Sequence, residues 1–243
     1  MVTDESLAAE IITRAESFEG IRAGIVRLKD VLKGHSYHYN PEGPAIMTQL
    51  EDGQVVEWPA KAQTVLILGL YHPEEEPRLD WWEGGDTRGN RHLREISELL
   101  KQWFREKYRL NAYPLPYDVE KGGLFLKDAA VLAGMGIIGR SNLFLHPEWG
   151  PRIRLRSILL DADLATPAAL DGFSPCETCD EFCQKACPTK AFPQGKYHRP
   201  LCRVQMNNDV ENKVRDGEIG ENGNHNLVIK YCRACELSCP VGA

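Results

Sequence analysis

No cysteine occurs before residue 176 of this 243-residue chain, and no apolar run approaches the roughly 20 residues that span a bilayer. The first absence confines any thiol chemistry to the last third. The second excludes a transmembrane helix. The opening stretch MVTDESLAAEIITRAESF is acidic and amphipathic, without the basic start and apolar core of a secretory signal, and no twin-arginine signal appears. Cytoplasmic residence without membrane contact is therefore expected, a setting that keeps thiols reduced. A basic half is also lacking. The net charge is −6, with 20 Lys+Arg against 25 Asp+Glu up to residue 170 and 9 against 10 beyond it. That balance speaks against a broad nucleic-acid footprint, which needs a positive face. The seven histidines form no metal set, and a surface or packed neutral ring is the default for each.

What is present is concentrated between Cys176 and Cys239. CETCDEFCQKACP places Cys176, Cys179, Cys183 and Cys187 before a proline, Cys202 stands alone, and CRACELSCP places Cys232, Cys235 and Cys239 before another. Four thiolates hold one [4Fe–4S] cube, so eight suffice for two. A C-x2-C step offers two sulfurs to one cube from a single turn. In two-cluster modules the cysteine before proline serves the other cluster. This assigns Cys176, Cys179, Cys183 and Cys239 to a first cluster and Cys187, Cys202, Cys232 and Cys235 to a second. One residue is inserted between Cys179 and Cys183 relative to the common C-x2-C-x2-C-x3-C-P run. Zinc also takes C-x2-C pairs, but usually without the trailing C-P, and a disulfide framework suits a small secreted domain. Lys185, Lys190, Arg203 and Arg233 lie in the same segments and could offset cluster charge, although a solvated surface position is the plainer reading of each.

The rest of the chain reads as ordinary globular protein, with 42% hydrophobic residues. Residues 4–18 predict an amphipathic helix ending before Gly20, 21–27 a short strand, and 35–60 loop with short strands. The run 63–71, QTVLILGLY, predicts a strand buried on both faces. Residues 72–90 form a polar, turn-rich loop, in which Trp81 and Trp82 either cover a ligand or anchor the loop. Residues 88–108 give the strongest helix, with Leu93, Ile96, Leu99, Leu100, Trp103 and Phe104 on one side. A helix over 123–133 ends at Gly134, and strands over 141–146 and 152–161 face each other across HPEWGP. Composition shifts near residue 170, dividing the chain into domains 1–170 and 171–243.

Two features of the first part bear on chemistry. AGMGIIG spells G-x-G-x-x-G over Gly134, Gly136 and Gly139. It follows a helical stretch, whereas the dinucleotide fingerprint follows a strand. These glycines either let backbone approach something flat and bulky or make a tight turn. Asp118 and Glu120 precede them, and a carboxylate there could deliver a proton to a reducible ligand; beside Lys121, either is also an ordinary loop acid.

The order of an acid-bearing loop, KDAAVLAGMGIIGRSNLFLHPEWGPRIRLRSILLDADL, CETCDEFCQKACPTKAF, a lone Cys202 and CRACELSCP resembles the epoxyqueuosine reductases and, more distantly, the reductive dehalogenases. The resemblance covers roughly 63–243. AGMGIIGRSN looks like that family's A-G-x-G-x-x-G-K-[HN]-S stretch, with Arg140 in the lysine place. It implies an α+β protein: a nitroreductase-like cobalamin-binding domain, then a small two-[4Fe–4S] ferredoxin-like domain. It also implies base-off cobalamin, in keeping with the absence of D-x-H-x-x-G, with Gly134, Gly136, Gly139, Arg140, Ser141 and Asn142 near the cofactor. The family's catalytic aspartate falls on Glu120 without gaps and on Asp118 with a two-residue shift.

Three departures matter. Neither acid is settled as the proton donor. The helical-repeat region that helps hold transfer RNA in the family has no counterpart in a chain ending four residues after Cys239, which with the acidic charge makes that substrate less expected. The export signal of the dehalogenases is missing. The expected function is an iron–sulfur, cobalamin-dependent reductase fed by a ferredoxin- or flavodoxin-like donor and acting on a small molecule. The alternative is an electron-transfer protein or reductive activase serving a corrinoid protein partner.

Overall fold

The computed structural model describes residues 4–39, 58–166, 168, 170–219 and 225–242. The chain forms two compact units that are not sequential. One comprises Met1–Tyr71, Leu93–Ile137 and Arg154–Phe173; the other comprises His72–His92, Ile138–Ile153 and Ser174–Ala243. Two segments that precede residue 170 thus belong with the cysteines.

The first unit is built on a sheet in the order Ile21–Arg27, Thr64–Tyr71, Ile153–Leu160, Ala112–Pro114. Ile21–Arg27 runs antiparallel to Thr64–Tyr71, pairing Ile21 with Leu70 and Arg27 with Thr64. The VLILGL run is buried residue by residue, as expected of a central strand with both faces covered. Helices Asp4–Glu16 and Arg88–Tyr108 supply Ala8, Ile11, Ala15, Leu93, Ile96, Leu100 and Phe104 to a core with Ile21, Ile25, Leu66, Leu68 and Ile158. Leu99, expected on the same face, is 51% exposed, because it lies at the edge of the apolar arc. A Glu10–Lys107 ion pair ties the two helices at the surface.

The expected loop after residue 35 begins instead with a helix, His35–Tyr39, whose first turn is held by a buried carboxylate: Ser36 N donates to Asp128 Oδ2 at 2.6 Å and Ser36 Oγ to Oδ1 at 3.0 Å. The remainder of that stretch, 40–57, lies outside the described residues. The strands over 141–146 and 152–161 do not pair with each other. Phe144–Leu145 pairs with Ile137–Ile138, and Ile153–Leu160 is drawn into the main sheet, where its apolar side chains are buried. The HPEWGP turn closes on itself through reciprocal His146 and Gly150 backbone bonds of 2.8 Å.

Replacing Phe104 with alanine removes a fully buried ring and is expected to cost about 3–5 kcal/mol. A fall in the urea midpoint of the first unit's transition checks this.

Candidate metal centre

Apart from Cys202, the cysteines sit on one-turn helices or in the loops beside them. Cys183 lies in the one-turn helix Phe182–Lys185, Cys202 in Arg199–Glu211 and Cys235 in Ala234–Leu237, with the others in flanking turns. All eight are free thiols, Cys232 exposed and the rest partly buried. The two short helices pack against each other, which brings the distant cysteine groups together. Burial raises the Cys183 thiol, with further contributions from Cys239, Cys176 and Cys179. Burial also raises Cys239, which senses Cys176 and Cys179 in turn. Cys232 is raised by burial and then by Asp209, Cys187 and Cys202. Cys235 is pushed up to about 12 by burial, Cys232, Cys202 and Glu236, with a smaller contribution from Cys183. Among the described residues no three His, Cys, Asp or Glu side chains are placed to hold a single metal ion. A cube spreads its ligands over four irons, so thiols suited to it stand further apart than those around one ion.

Backbone and side-chain donors complete the surroundings. Cys187 Sγ accepts from Ala191 N at 3.3 Å and lies 3.8 Å from Thr189 Oγ1. Burial would raise this thiol, but these donors outweigh burial and bring it below its ordinary value. Asp209 Oδ2 accepts from Cys232 N at 2.8 Å. The Tyr197 phenol is raised by burial and by its hydrogen bond with Cys202.

Segments 72–92 and 138–153 meet at a 3.2 Å bond from His72 N to Arg152 O, and each brings charge to the cysteines. Arg233, between Cys232 and Cys235, is gripped from several sides. Its Nη1 lies 2.7 Å from Asp80 Oδ2, its Nε donates to Glu236 Oε1 at 3.0 Å, and its Nη2 donates to His72 O at 3.1 Å. His72 Nδ1 is 2.8 Å from Asp80 Oδ2. Arg152, 5% exposed, donates from Nη1 to Val241 O at 3.2 Å, two residues past Cys239, and helps hold that thiol's pKa down against burial. Gly150 makes this approach possible. At φ +57 a Cβ there would lie 1.9 Å from Val241 O.

Among the described residues, Arg233 is the one basic residue flagged from sequence that pairs with largely buried acids; Lys185 lies over the Phe182 ring at 5.7 Å. Arg152, His72 and Asp80 were missed. Trp82 serves as an anchor: it exchanges backbone bonds of 3.0 and 2.9 Å with Ile229 and meets Tyr231 edge-on. Lys230 Nζ sits 3.9 Å above the Trp81 ring.

The glycine run divides between the units after Ile137. Gly134, at φ +74, ends the helix Leu126–Leu132, with Gly134 N bonding Val131 O and Met135 N bonding Ala130 O. A Cβ on it would meet Ala168 O at 2.7 Å. Gly136 is buried. A Cβ on Gly139 would lie 2.6 Å from Leu145 Cδ1 and 3.4 Å from Cys176 Sγ. Arg140 pairs with Glu181 at 3.1 Å, Ser141 Oγ accepts from Leu143 N at 3.4 Å, and Asn142 takes a left-handed turn position at φ 61. Like Gly136, Ser141 is buried, whereas Arg140 is exposed. Asp118 is exposed, opens the single turn Val119–Lys121 and pairs with Lys121 at 3.4 Å. Glu120 lies within that turn; its side chain is outside the described residues.

No protein-family model matches the chain. Epoxyqueuosine reductase of Lactococcus garvieae is 24% identical over 265 residues, covering 97% of this chain and 68% of that protein. Tetrachloroethene reductive dehalogenase of Sulfurospirillum multivorans is 31% identical over 120 residues, 46% of this chain and 22% of that one. In fold, an epoxyqueuosine reductase solved with an epoxyqueuosine-modified tRNA stem loop superposes with TM-score 0.65 at 19% identity, over 99% of this chain and 66% of that one. The chain thus spans about two thirds of the length of the epoxyqueuosine reductases it matches. Both likenesses are to oxidoreductases of mixed helix and sheet. Within that class, the chain is similar over nearly its whole length to epoxyqueuosine reductases and over a shorter stretch to a reductive dehalogenase. Among the described residues no helix is long and apolar enough to cross a membrane.

Gly150→Ala is expected to unseat the Cys239 turn and to lower iron retention from about eight per chain toward about four. Iron and sulfide assays after anaerobic reconstitution and desalting check it.

Proposed function

We propose that this chain is a two-[4Fe–4S] reductase, with Cys176, Cys179, Cys183 and Cys239 holding one cluster and Cys187, Cys202, Cys232 and Cys235 the other. The observation that carries this reading is the packing of the one-turn helix Phe182–Lys185, which bears Cys183, against Ala234–Leu237, which bears Cys235 and precedes Cys239, so that cysteine groups distant in sequence come together. When bound, such clusters supply one-electron transfer at low potential. The chain's own part is to present thiolates, to donate the Ala191 N–H to Cys187 Sγ, and to shield the sites with partly buried turns.

The unit carrying the cysteines is read as ferredoxin-like and the sheet unit as nitroreductase-like. Electrons come from a ferredoxin- or flavodoxin-like donor. The family likeness points to base-off cobalamin as the reducing centre, with Gly134, Gly136, Gly139, Arg140, Ser141 and Asn142 near it. Asp118 or Glu120 supplies a proton to the substrate, Asp118 being the acid whose exposed side chain is described. A small molecule is favoured over transfer RNA by the net charge of −6, although a relative is seen with a tRNA stem loop.

Single serine substitutions test the ligand sets. Cys239→Ser and Cys176→Ser are expected to leave one and the same residual cluster spectrum by electron paramagnetic resonance, and Cys187→Ser and Cys232→Ser the other. A pairing of Cys239→Ser with Cys232→Ser would sink the crossed assignment. Mixing reconstituted protein with cob(II)alamin and then desalting tests the corrinoid. A retained base-off cobalt signal without nitrogen splitting supports the reductase, whereas loss of cobalt leaves a two-cluster electron carrier.

A further inference from the structure

Each cysteine group has an arginine beside it, Arg152 buried and Arg233 partly buried, and the two differ in how their charge is balanced. Arg233 faces Asp80 at 2.7 Å and Glu236 at 3.0 Å, carboxylates whose side chains are only 9% and 12% exposed. Two carboxylates against one guanidinium leave a net negative charge; with His72 protonated the set is no more than neutral. Asp209, hydrogen-bonded to Cys232 N at 2.8 Å, adds a further negative charge on the same side. Arg152 is different. It is 5% exposed, its side chain donates to the carbonyl of Val241 at 3.2 Å, and among the described residues no carboxylate stands at ion-pair distance from it. Its full positive charge is therefore presented to the turn that carries Cys239.

A cluster gains negative charge on reduction. A nearby uncancelled cation stabilises the reduced form and raises the potential, while nearby carboxylates lower it, and partial burial strengthens both effects. We propose that Arg152 holds the Cys176/Cys179/Cys183/Cys239 cluster at a higher potential than the Cys187/Cys202/Cys232/Cys235 cluster, where the Asp80–Arg233–Glu236 set cancels the arginine. The inference rests on the two-cluster reading above. Arg152 acts as a positioning residue: it bonds the Val241 carbonyl and sets the field at the first cluster without being a ligand. An added electron then rests on the first cluster in preference to the second.

The test is a redox titration of the anaerobically reconstituted full chain, followed by electron paramagnetic resonance. Two separate reduction waves are expected. Arg152→Gln should move the upper wave to lower potential and leave the lower wave in place. Arg152→Lys, which keeps the charge, should restore it. Glu236→Gln should raise the lower wave alone, so the ordering remains testable if Arg152→Gln fails to hold its iron. A single shared wave, or Arg152 and Glu236 variants whose waves stay in place or move together, overturns the proposal. Iron and sulfide counts separate this failure from failure of the underlying reading: a wild-type chain without about eight of each refutes the clusters themselves, while full loading with unmoved waves refutes only the role of Arg152.

Discussion

Crowding eight thiols into one small unit is the constraint on which the rest of the second unit depends. Each ionised sulfur makes its neighbours harder to ionise, and partial burial adds to the cost; both act on Cys183, Cys232, Cys235 and Cys239. The chain alone would hold these four thiols protonated at neutral pH. A cationic metal centre bound there would reverse that balance, coupling loading to deprotonation and turning binding free energy into folding free energy for the short turns that carry the thiols. The elements around the cysteines are single-turn helices such as Phe182–Lys185 and Ala234–Leu237, too short to be stable on their own.

Such a unit needs outside support, and the chain supplies it from two earlier segments. Residues 72–92 bring His72 and Asp80 to Arg233, and a backbone bridge from Trp82 to Ile229 fixes that segment beside the second cysteine group. Residues 138–153 bring Arg152 to Val241, with Gly150 allowing contact that any Cβ would block. A buried ion pair costs desolvation, and the Arg233 set is retained with nearly all its hydrogen-bonding groups matched. This favours a role in orienting the Cys232–Cys239 turn over one in raising overall stability.

How much of this could be read from the sequence follows the range of the interactions. The cysteine spacing, the helix 88–108 and the buried strand 63–71 were legible because each is a local pattern: a fixed step, a 3.6-residue period, a continuous apolar run. Arg152 was not. In PRIRLRS it alternates with apolar residues and reads as one more strand position. His72 and Asp80 sit in a stretch whose polar, turn-rich composition says loop and nothing about where the loop docks. Their partner Arg233 is more than 150 residues away, and no local period encodes that pairing. The strand over 152–161 was found, but its partner was misread, because pairing across HPEWGP is the shorter connection and the main sheet offers more burial.

The glycine string shows the same limit from the other side. G-x-G-x-x-G invites reading as one site, yet Gly134 is required by the end of a helix and Gly139 by the closeness of Leu145 and Cys176. Two unrelated packing demands produce one apparent motif. The acid loop before it is the opposite case, since its structure leaves its chemistry open. Asp118 is exposed and tied only by an i,i+3 pair with Lys121 at 3.4 Å. Such surface pairs are worth about 0.2–1 kcal/mol. Releasing Asp118 from Lys121 toward a bound substrate would therefore cost little, and a proton donor on this turn can be both folded in place and free to act.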